Sequence, residues 1–380
     1  MLYLAIDLHR KQMTINLRSE DGEPILRRQV STWGAEPRTF LADVQRRAGQ
    51  DGFVAILEVC GFHDWLTELL PQFGCREVVL IQAEKRSSRK TDRRDANQLG
   101  ELLWLNRGRL LVGRKVQGLR RIVPPKPTER EDRRLTQLRC NLTRDLTRTI
   151  NRVKYILRRL NIEQHCPTKG IQTQQAKAWL KTLSLPSFDR LEMDQLLARW
   201  TTLAQQRDQL DRRIVERAAL DPRVQWLRTV PGASHYTALA LACRIGEIGR
   251  FPTPRSLANY WGLTPRCGSS GETERLGSIT KEGSPLARYL LAQMVMHVLK
   301  RDATMREWFR RIKKRRGAKI ARVAVMRRLT VIFWHMLRKQ QPYTIAAADG
   351  QACPDCQPRI MLSASNIYLV TAFNDCTERA

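Results

Sequence analysis

From Leu135 to Leu160 an apolar residue recurs every three or four positions: Leu135, Leu138, Leu142, Leu146, Ile150, Val153, Leu157 and Leu160. That spacing keeps a single apolar stripe on one side of a helix for about seven turns. A stripe of that length needs a partner to bury it. Leu196, Trp200, Leu203, Leu210 and Ile214 form a second run of the same period. With the segment Pro167–Pro186 as the connection, the two predict an antiparallel, coiled-coil-like helical hairpin over residues 125–222. Its outer face is rich in arginine, which suits either bound nucleic acid or plain solvation.

The chain before this hairpin has another pattern. LYLAID (2–7), QMTINLR (12–18) and PILRRQVST (24–32) read as a three-strand meander, with Asp21-Gly22 as a turn. A helix is expected over 37–48, a buried strand at FVAILE (53–58), a short helix at His63–Leu70, a buried strand at REVVLIQ (76–82) and a helix from Asp92 to Asn106. Three strands followed by alternating helices and strands predict an α/β domain over residues 1–115. Beyond the hairpin, residues 223–343 form a Gly- and Pro-punctuated, mostly α-helical third domain. Residues 344–380, with a Cys-Pro-Asp-Cys element at Cys353–Cys356, read as a tail.

Charge separates these parts. Residues 1–100 hold 15 basic and 14 acidic side chains, a net of +1, so +29 of the chain's formal +30 lies beyond them. A surplus of that size repels itself unless a polyanion neutralises it, and nucleic acid is the expected partner. No apolar stretch approaches the roughly 20 residues of a membrane helix. The N-terminus lacks the order of a signal peptide, and nine scattered cysteines suit a reduced cytoplasmic chain.

Candidate chemistry concentrates in two places. Asp7 and Glu58 each end an apolar strand, and strand-end carboxylates converge on one edge of a sheet. Asp92 and Asp95 are three apart at a helix start and so share a face. Four hard carboxylates suit Mg²⁺ or Mn²⁺, although Asp92 also suits a helix cap and Glu58 a solvated strand end. Lys85, Arg86, Arg89, Lys90, Arg93 and Arg94 straddle the second pair and would guide a phosphate backbone. In the third domain, Val230-Pro231-Gly232 leads into a helix in the manner of a helix-hairpin-helix, whose backbone N–H groups face phosphate. Gly268-Ser269-Ser270-Gly271 is expected to be a loop carrying two hydroxyls among Arg266, Arg275 and Lys281. Arg310, Arg311, Lys313, Lys314, Arg315 and Arg316 form a further cationic run, too polar for a core.

YLAIDLHRK, ILEVCGFHDWL and KTDRRDANQLGELL resemble the RuvC-like "DEDD" domain of insertion-sequence 110 and 1111 type transposases. The segment from VPGASHYTALAL through GLTPRCGSSGETERLGSITKEGSPLARYLL resembles that family's C-terminal transposase domain. The resemblance covers about residues 1–340, with both regions in order. It implies an RNase H-like first domain and a DNA recombinase working with an element-encoded bridge RNA. It also implies Mg²⁺-binding carboxylates at Asp7, Glu58, Asp92 and Asp95, and a serine that becomes covalently joined to DNA. The family's serine before glycine falls on Ser270, with Ser269 next to it. A homo-oligomer, dimer or tetramer, with composite active sites is implied, associated with the nucleoid when bound to DNA. This sequence has Ala233 after Pro231-Gly232, where many members have a second glycine, and Cys60 before Gly61. Two other readings fit the residues alone: a RuvC-like structure-specific endonuclease, and a nucleic-acid-binding protein without chemistry.

Overall fold

A computed structural model describes residues 1–82, 92–114, 116, 119–270 and 273–344, without the side chains of 92–95, 267–270 and 273–276. It divides into two compact units, Met1–Pro124 and Pro125–Ala380.

The first unit is built on strands β1 (Leu2–Leu8), β2 (Gln12–Arg18), β3 (Pro24–Ser31), β4 (Phe53–Glu58), β5 (Cys75–Gln82) and β6 (Arg120–Ile122). Their order across the sheet is β3-β2-β1-β4-β5-β6. β1 to β3 pair antiparallel, β4 and β5 run parallel to β1, and β6 closes the edge antiparallel to β5. Sequence periodicity does not reveal β6, because three residues are too few to show one. β1 as far as Ile6 and β4 as far as Leu57 are apolar because both of their faces are covered. Leu4, Ile6, Leu8, Phe53, Ala55 and Leu57 pack with helices α1 (Glu36–Ala48) and α2 (Asp64–Leu69). Tyr3, Ala5, Val54 and Ile56 pack with α3 (Asp92–Leu105) and α4 (Arg107–Leu110).

The second unit begins with α5 (Pro127–Arg159), followed by α6 (Gln174–Thr182) and α7 (Ser187–Ala219). α5 and α7 run antiparallel, as the pairs Arg139–Asp211, Arg159–Asp189 and Arg217–Asp132 require. Their distal halves share one apolar core, including Leu146, Ile150, Val153, Leu157, Leu196 and Trp200. Here the observed core departs from the expected stripe. Leu138 is 50% exposed, while Glu129, Asp132 and Thr136 are buried. The proximal part of α5 turns this polar side inward because cations meet it. Arg217 donates to Asp132 at 2.8 Å, Arg223 to Glu129 at 3.0 Å, and the buried Arg244 to Thr136 Oγ1 at 3.0 Å.

The chain continues through α8 (Pro222–Arg228), α9 (His235–Ile245), α10 (Pro254–Tyr260), the hairpin β7 (Pro265–Ser270) and β8 (Thr273–Ile279), α11 (Pro285–Arg301) and α12 (Ala303–Lys339). A second apolar core gathers Trp261, Leu291, Val325, Leu329 and Phe333. α12 is interrupted at Gly317, whose φ of 83° no helix allows. After α12 the chain is held by Tyr343, whose N–H donates to Thr229 Oγ1 at 2.7 Å and whose hydroxyl donates to Asp302 Oδ2 at 2.5 Å. The expected Cys353–Cys356 element lies outside the described residues.

Arg217→Met leaves the Asp132 carboxylate under cover without its cation. It should lower unfolding free energy by about 2 kcal/mol, and Asp132→Leu with Arg217→Met should recover most of that loss. Urea titration of both variants checks it.

Candidate active site

The β1–β4 ladder pairs Leu2 with Phe53 and ends with Ile6 opposite Leu57. The next residues on each strand are Asp7 and Glu58, so the two carboxylates finish adjacent parallel strands. Side chains alternate faces with period two. Asp7 follows Tyr3 and Ala5, and Glu58 follows Val54 and Ile56, all on the face that α3 covers. Asp7 is 16% exposed, and His9 Nε2 hydrogen-bonds its Oδ2 at 3.0 Å.

Three contacts orient α3 on that face. Trp104 Nε1 donates to Glu20 O at 2.9 Å, fixing the C-terminal end of α3 beside the β2–β3 turn. Gly100 passes so close to β2 that a Cβ there would sit 3.1 Å from Asn16 Oδ1. Asn16 Nδ2 donates to Asn97 Oδ1, and Asn16 pairs with Ala5 in the β1–β2 ladder. α3 therefore runs opposite to β1. Its first turn, with Asp92 and Asp95, lies two to five residues beyond Asn97, about 3–8 Å along the helix. Asp7 lies two residues beyond Ala5, about 7 Å along the strand. The helix start and the strand ends thus reach the same end of the sheet. The side chains of Asp92, Arg93, Arg94 and Asp95 are outside the described residues, as are Lys85, Arg86, Arg89 and Lys90. Among the described residues, no three His, Cys, Asp or Glu stand close enough to hold a metal ion.

Two further residues belong to this face. Thr14 stands directly opposite Asp7 in the ladder. It is 4% exposed, and its hydroxyl has no hydrogen-bond partner among the described residues. Asn16 follows two residues on and is fully buried. Buried polar atoms are normally paired. An unpaired hydroxyl beside hard carboxylate oxygens fits a hydrated divalent cation, whose waters need acceptors and orienting partners. The sequence marks neither residue, since polar positions in an alternating strand such as QMTINLR carry no functional signal.

In the second unit, α8 and α9 flank the Pro231-Gly232 turn. Gly232 has φ 85°, and a Cβ there would come within 2.7 Å of the His297 side chain on α11, so only glycine seats this turn. Ser234 caps α9 by accepting from Thr237 N at 3.2 Å. His235 opens α9, and burial together with the neighbouring Arg228 lowers its pKa, so at neutral pH the cation of this turn is Arg228.

The expected serine loop takes another form. Arg266 to Ser270 lie in β7, and Ser269 and Ser270 stand opposite Glu274 and Thr273 of β8. Two-stranded pairing satisfies the backbone of a segment that composition alone reads as a turn. Ser270 ends β7 next to residues 271–272, which are not described, and its side chain, like those of Ser269 and Arg275, is outside the described residues. Arg266 Nη2 donates to Thr280 O at 3.3 Å, and Lys281 sits at φ 57°. Arg310, Arg311, Lys313, Lys314, Arg315 and Arg316 are all exposed, on the segment of α12 before Gly317.

A carboxylate-edged mixed sheet followed by a basic helical unit describes a class of nucleic-acid-processing proteins, and sequence comparison narrows it. A family profile described as "Transposase" matches residues 4–162, and one described as "Transposase IS116/IS110/IS902 family" matches residues 224–310. The chain is 25% identical over 305 residues to the transposase for insertion sequence element IS1111A of Coxiella burnetii, covering 77% of this chain and 79% of that one. It is 21% identical to the transposase for IS1328 of Yersinia enterocolitica, covering 87% and 95%. A probable family 20 transposase of Pseudomonas aeruginosa is 34% identical over 139 residues, 35% of this chain and 41% of that one. The chain belongs to the IS110/IS1111 family of transposases. It is an enzyme of transposition, and its substrate is DNA. No helix among the described residues is long and apolar enough to cross a membrane.

Thr14→Val replaces the unpartnered hydroxyl with a methyl group of the same shape. It should stabilise the metal-free protein by about 1 kcal/mol and weaken Mg²⁺ binding. Urea titration without metal, followed by calorimetric titration with Mg²⁺, tests both effects.

Proposed function

We propose that this transposase cuts and rejoins DNA strands through a covalent phosphoserine intermediate at Ser270, supported by Mg²⁺ or Mn²⁺ at Asp7, Glu58, Asp92 and Asp95. The observation that carries the reading is the common face of Asp7 and Glu58 at the ends of adjacent parallel strands, at the end of the sheet where α3 begins. The order β3-β2-β1-β4-β5, with an antiparallel meander leading into parallel strands, supports an RNase H-like domain.

In this reading the Ser270 oxygen attacks a DNA phosphorus. The bond from phosphorus to a deoxyribose oxygen breaks, and the hydroxyl proton leaves to base. The phosphodiester energy is kept in the serine ester, so a later attack by a DNA hydroxyl rejoins strands without ATP. A bound divalent cation would supply neutralisation of the charge that builds on the phosphoryl and leaving oxygens. Asp7 and Glu58 hold that charge-neutralising site in place, His9 orients the Asp7 carboxylate, and Arg266, Arg275 and Lys281 approach the phosphate from the hairpin. Ser269 is the neighbouring alternative nucleophile.

The same reading includes an element-encoded bridge RNA as guide. It also includes a dimer or tetramer in which the carboxylate unit of one chain serves the serine of another, with the α5–α7 pair as a coiled-coil-like element. Lys85, Arg86, Arg89, Lys90, Arg93 and Arg94 would lead the strand toward the carboxylates.

Denatured reactions should contain DNA covalently attached to protein. Ser270→Ala should abolish both adduct and recombination and leave DNA binding intact. Peptide mapping of the adduct separates Ser270 from Ser269. Asp7→Asn should fold normally and lose recombination. Cleavage to free ends by a Ser269/Ser270 double alanine variant would instead establish the endonuclease reading.

With about six to ten phosphates contacted, affinity should fall roughly 10³–10⁵-fold between about 50 and 200 mM salt. Replacing Arg310, Arg311, Lys313, Lys314, Arg315 and Arg316 by glutamine should flatten that slope without lowering thermal stability. Binding titrations at several salt concentrations and a thermal melt check both.

A further inference from the structure

The end of the sheet that carries Asp7 and Glu58 also carries the exposed aromatic rings of the first unit. Trp33, on the connection leaving β3, is 60% exposed; Phe62, in the turn after Glu58, is 45% exposed; and Trp65, at the start of α2, is 36% exposed. Among the described residues of this unit, the other large apolar side chains with comparable exposure are aliphatic. The remaining aromatics are seated: Tyr3, Phe40 and Phe53 are buried, Phe73 packs partly buried against the same core as Phe40 and Phe53, and Trp104 lies against Gly22. A single exposed ring needs no explanation. Three on connections that leave the same end of the sheet, the end where two carboxylates stand, do.

Topology explains how they come together. β3, β1 and β4 run in the same direction, so the connections that follow all three leave from one end. The turn between β1 and β2 rises at that end too, and its Arg10 and Lys11 are exposed. Lys11 Nζ lies 5.8 Å from the centroid of the Trp33 ring. Thr32 ties the two turns together, its N–H donating to Lys11 O at 3.0 Å and its hydroxyl to Arg10 O at 2.8 Å. A ring beside a cation on a fixed turn offers a base face and a phosphate partner at once.

We infer that Trp33, Phe62 and Trp65 form a stacking rim for unpaired bases of a DNA strand laid over this end of the sheet, with Arg10 and Lys11 on its phosphates. Aromatic stacking accepts any base through its π-face, but the base must be out of its duplex for the ring to reach it. The rim therefore selects single-stranded DNA over duplex next to the carboxylates. This rests on the proposed role of Asp7 and Glu58 in DNA strand exchange, which makes DNA the strand presented there.

Binding of the full-length protein to a short fluorescent DNA, without divalent metal, tests the rim apart from catalysis. Trp33→Ala, and Phe62→Ala with Trp65→Ala, should each weaken single-stranded DNA binding about tenfold and leave binding to the same sequence as duplex within about twofold. Trp33→Phe should retain binding, and Trp33→Leu, which keeps apolar bulk without a π-face, should lose it. Thermal melts should match the parent, because these rings are exposed. Equal losses on duplex and single strand, no loss on either, or a ring dependence seen with RNA of the same sequence and not with DNA would each overturn the rim. Those outcomes leave the serine adduct untouched, and an absent adduct with ring-dependent binding would overturn the catalytic reading alone.

Discussion

Two carboxylates at the ends of neighbouring parallel strands constrain the rest of the first unit. Asp7 and Glu58 share a face, and α3 covers that face rather than leaving it to water. Two like charges on one face call for cations or donors nearby. Much of the first unit bears on this problem. His9 hydrogen-bonds Asp7, Thr14 brings a hydroxyl opposite it, and the Asn16–Asn97 bond sets where α3 begins. The glycine at position 100 lets that helix approach closely enough for the bond to form. A β-carbon there would press on the Asn16 and Arg18 side chains, 3.1 Å away.

The second unit resolves an opposite problem, a surplus of cations. Its arginines are not all surface charge. Arg217, Arg223 and Arg244 reach the polar side of α5 and satisfy Asp132, Glu129 and Thr136. Arg133 donates to Cys243 O at the C-terminal end of α9, at 2.8 Å, where a helix favours positive charge. The α5–α7 pair is thus apolar in its distal half and ionic at its base. The ionic half specifies partner and register more than it adds stability, since buried pairs recover little beyond their desolvation.

The fold was legible where periodicity was strong. The meander, FVAILE, the strand into Gln82 and the two long helices all follow from apolar spacing in the sequence. β6 escaped because it is three residues long, and the β7–β8 hairpin escaped because Gly268-Ser269-Ser270-Gly271 has the composition of a turn. Leu138 was read as core and is half exposed, because pattern alone does not reveal that α5 changes partners along its length. At the site, Asp7 and Glu58 were readable as acids that stop apolar strands. Thr14 and Asn16 were not, since alternation with Met13, Ile15 and Leu17 is the mark of a solvated face. Only the covering of that face by α3, from a distant part of the chain, makes them interior residues.

The clasp at Tyr343 bears on how this chain is made. Its partners, Thr229 and Asp302, precede it by 114 and 41 residues. The first unit, by contrast, has every described strand once Ile122 has been synthesised. Domains fold as units, N-terminal first, during synthesis. The ribosome therefore exposes every described strand of the carboxylate sheet long before the second unit is closed by α12 and its clasp. A message cut short between those points encodes the complete sheet with a second unit that lacks its closing clasp.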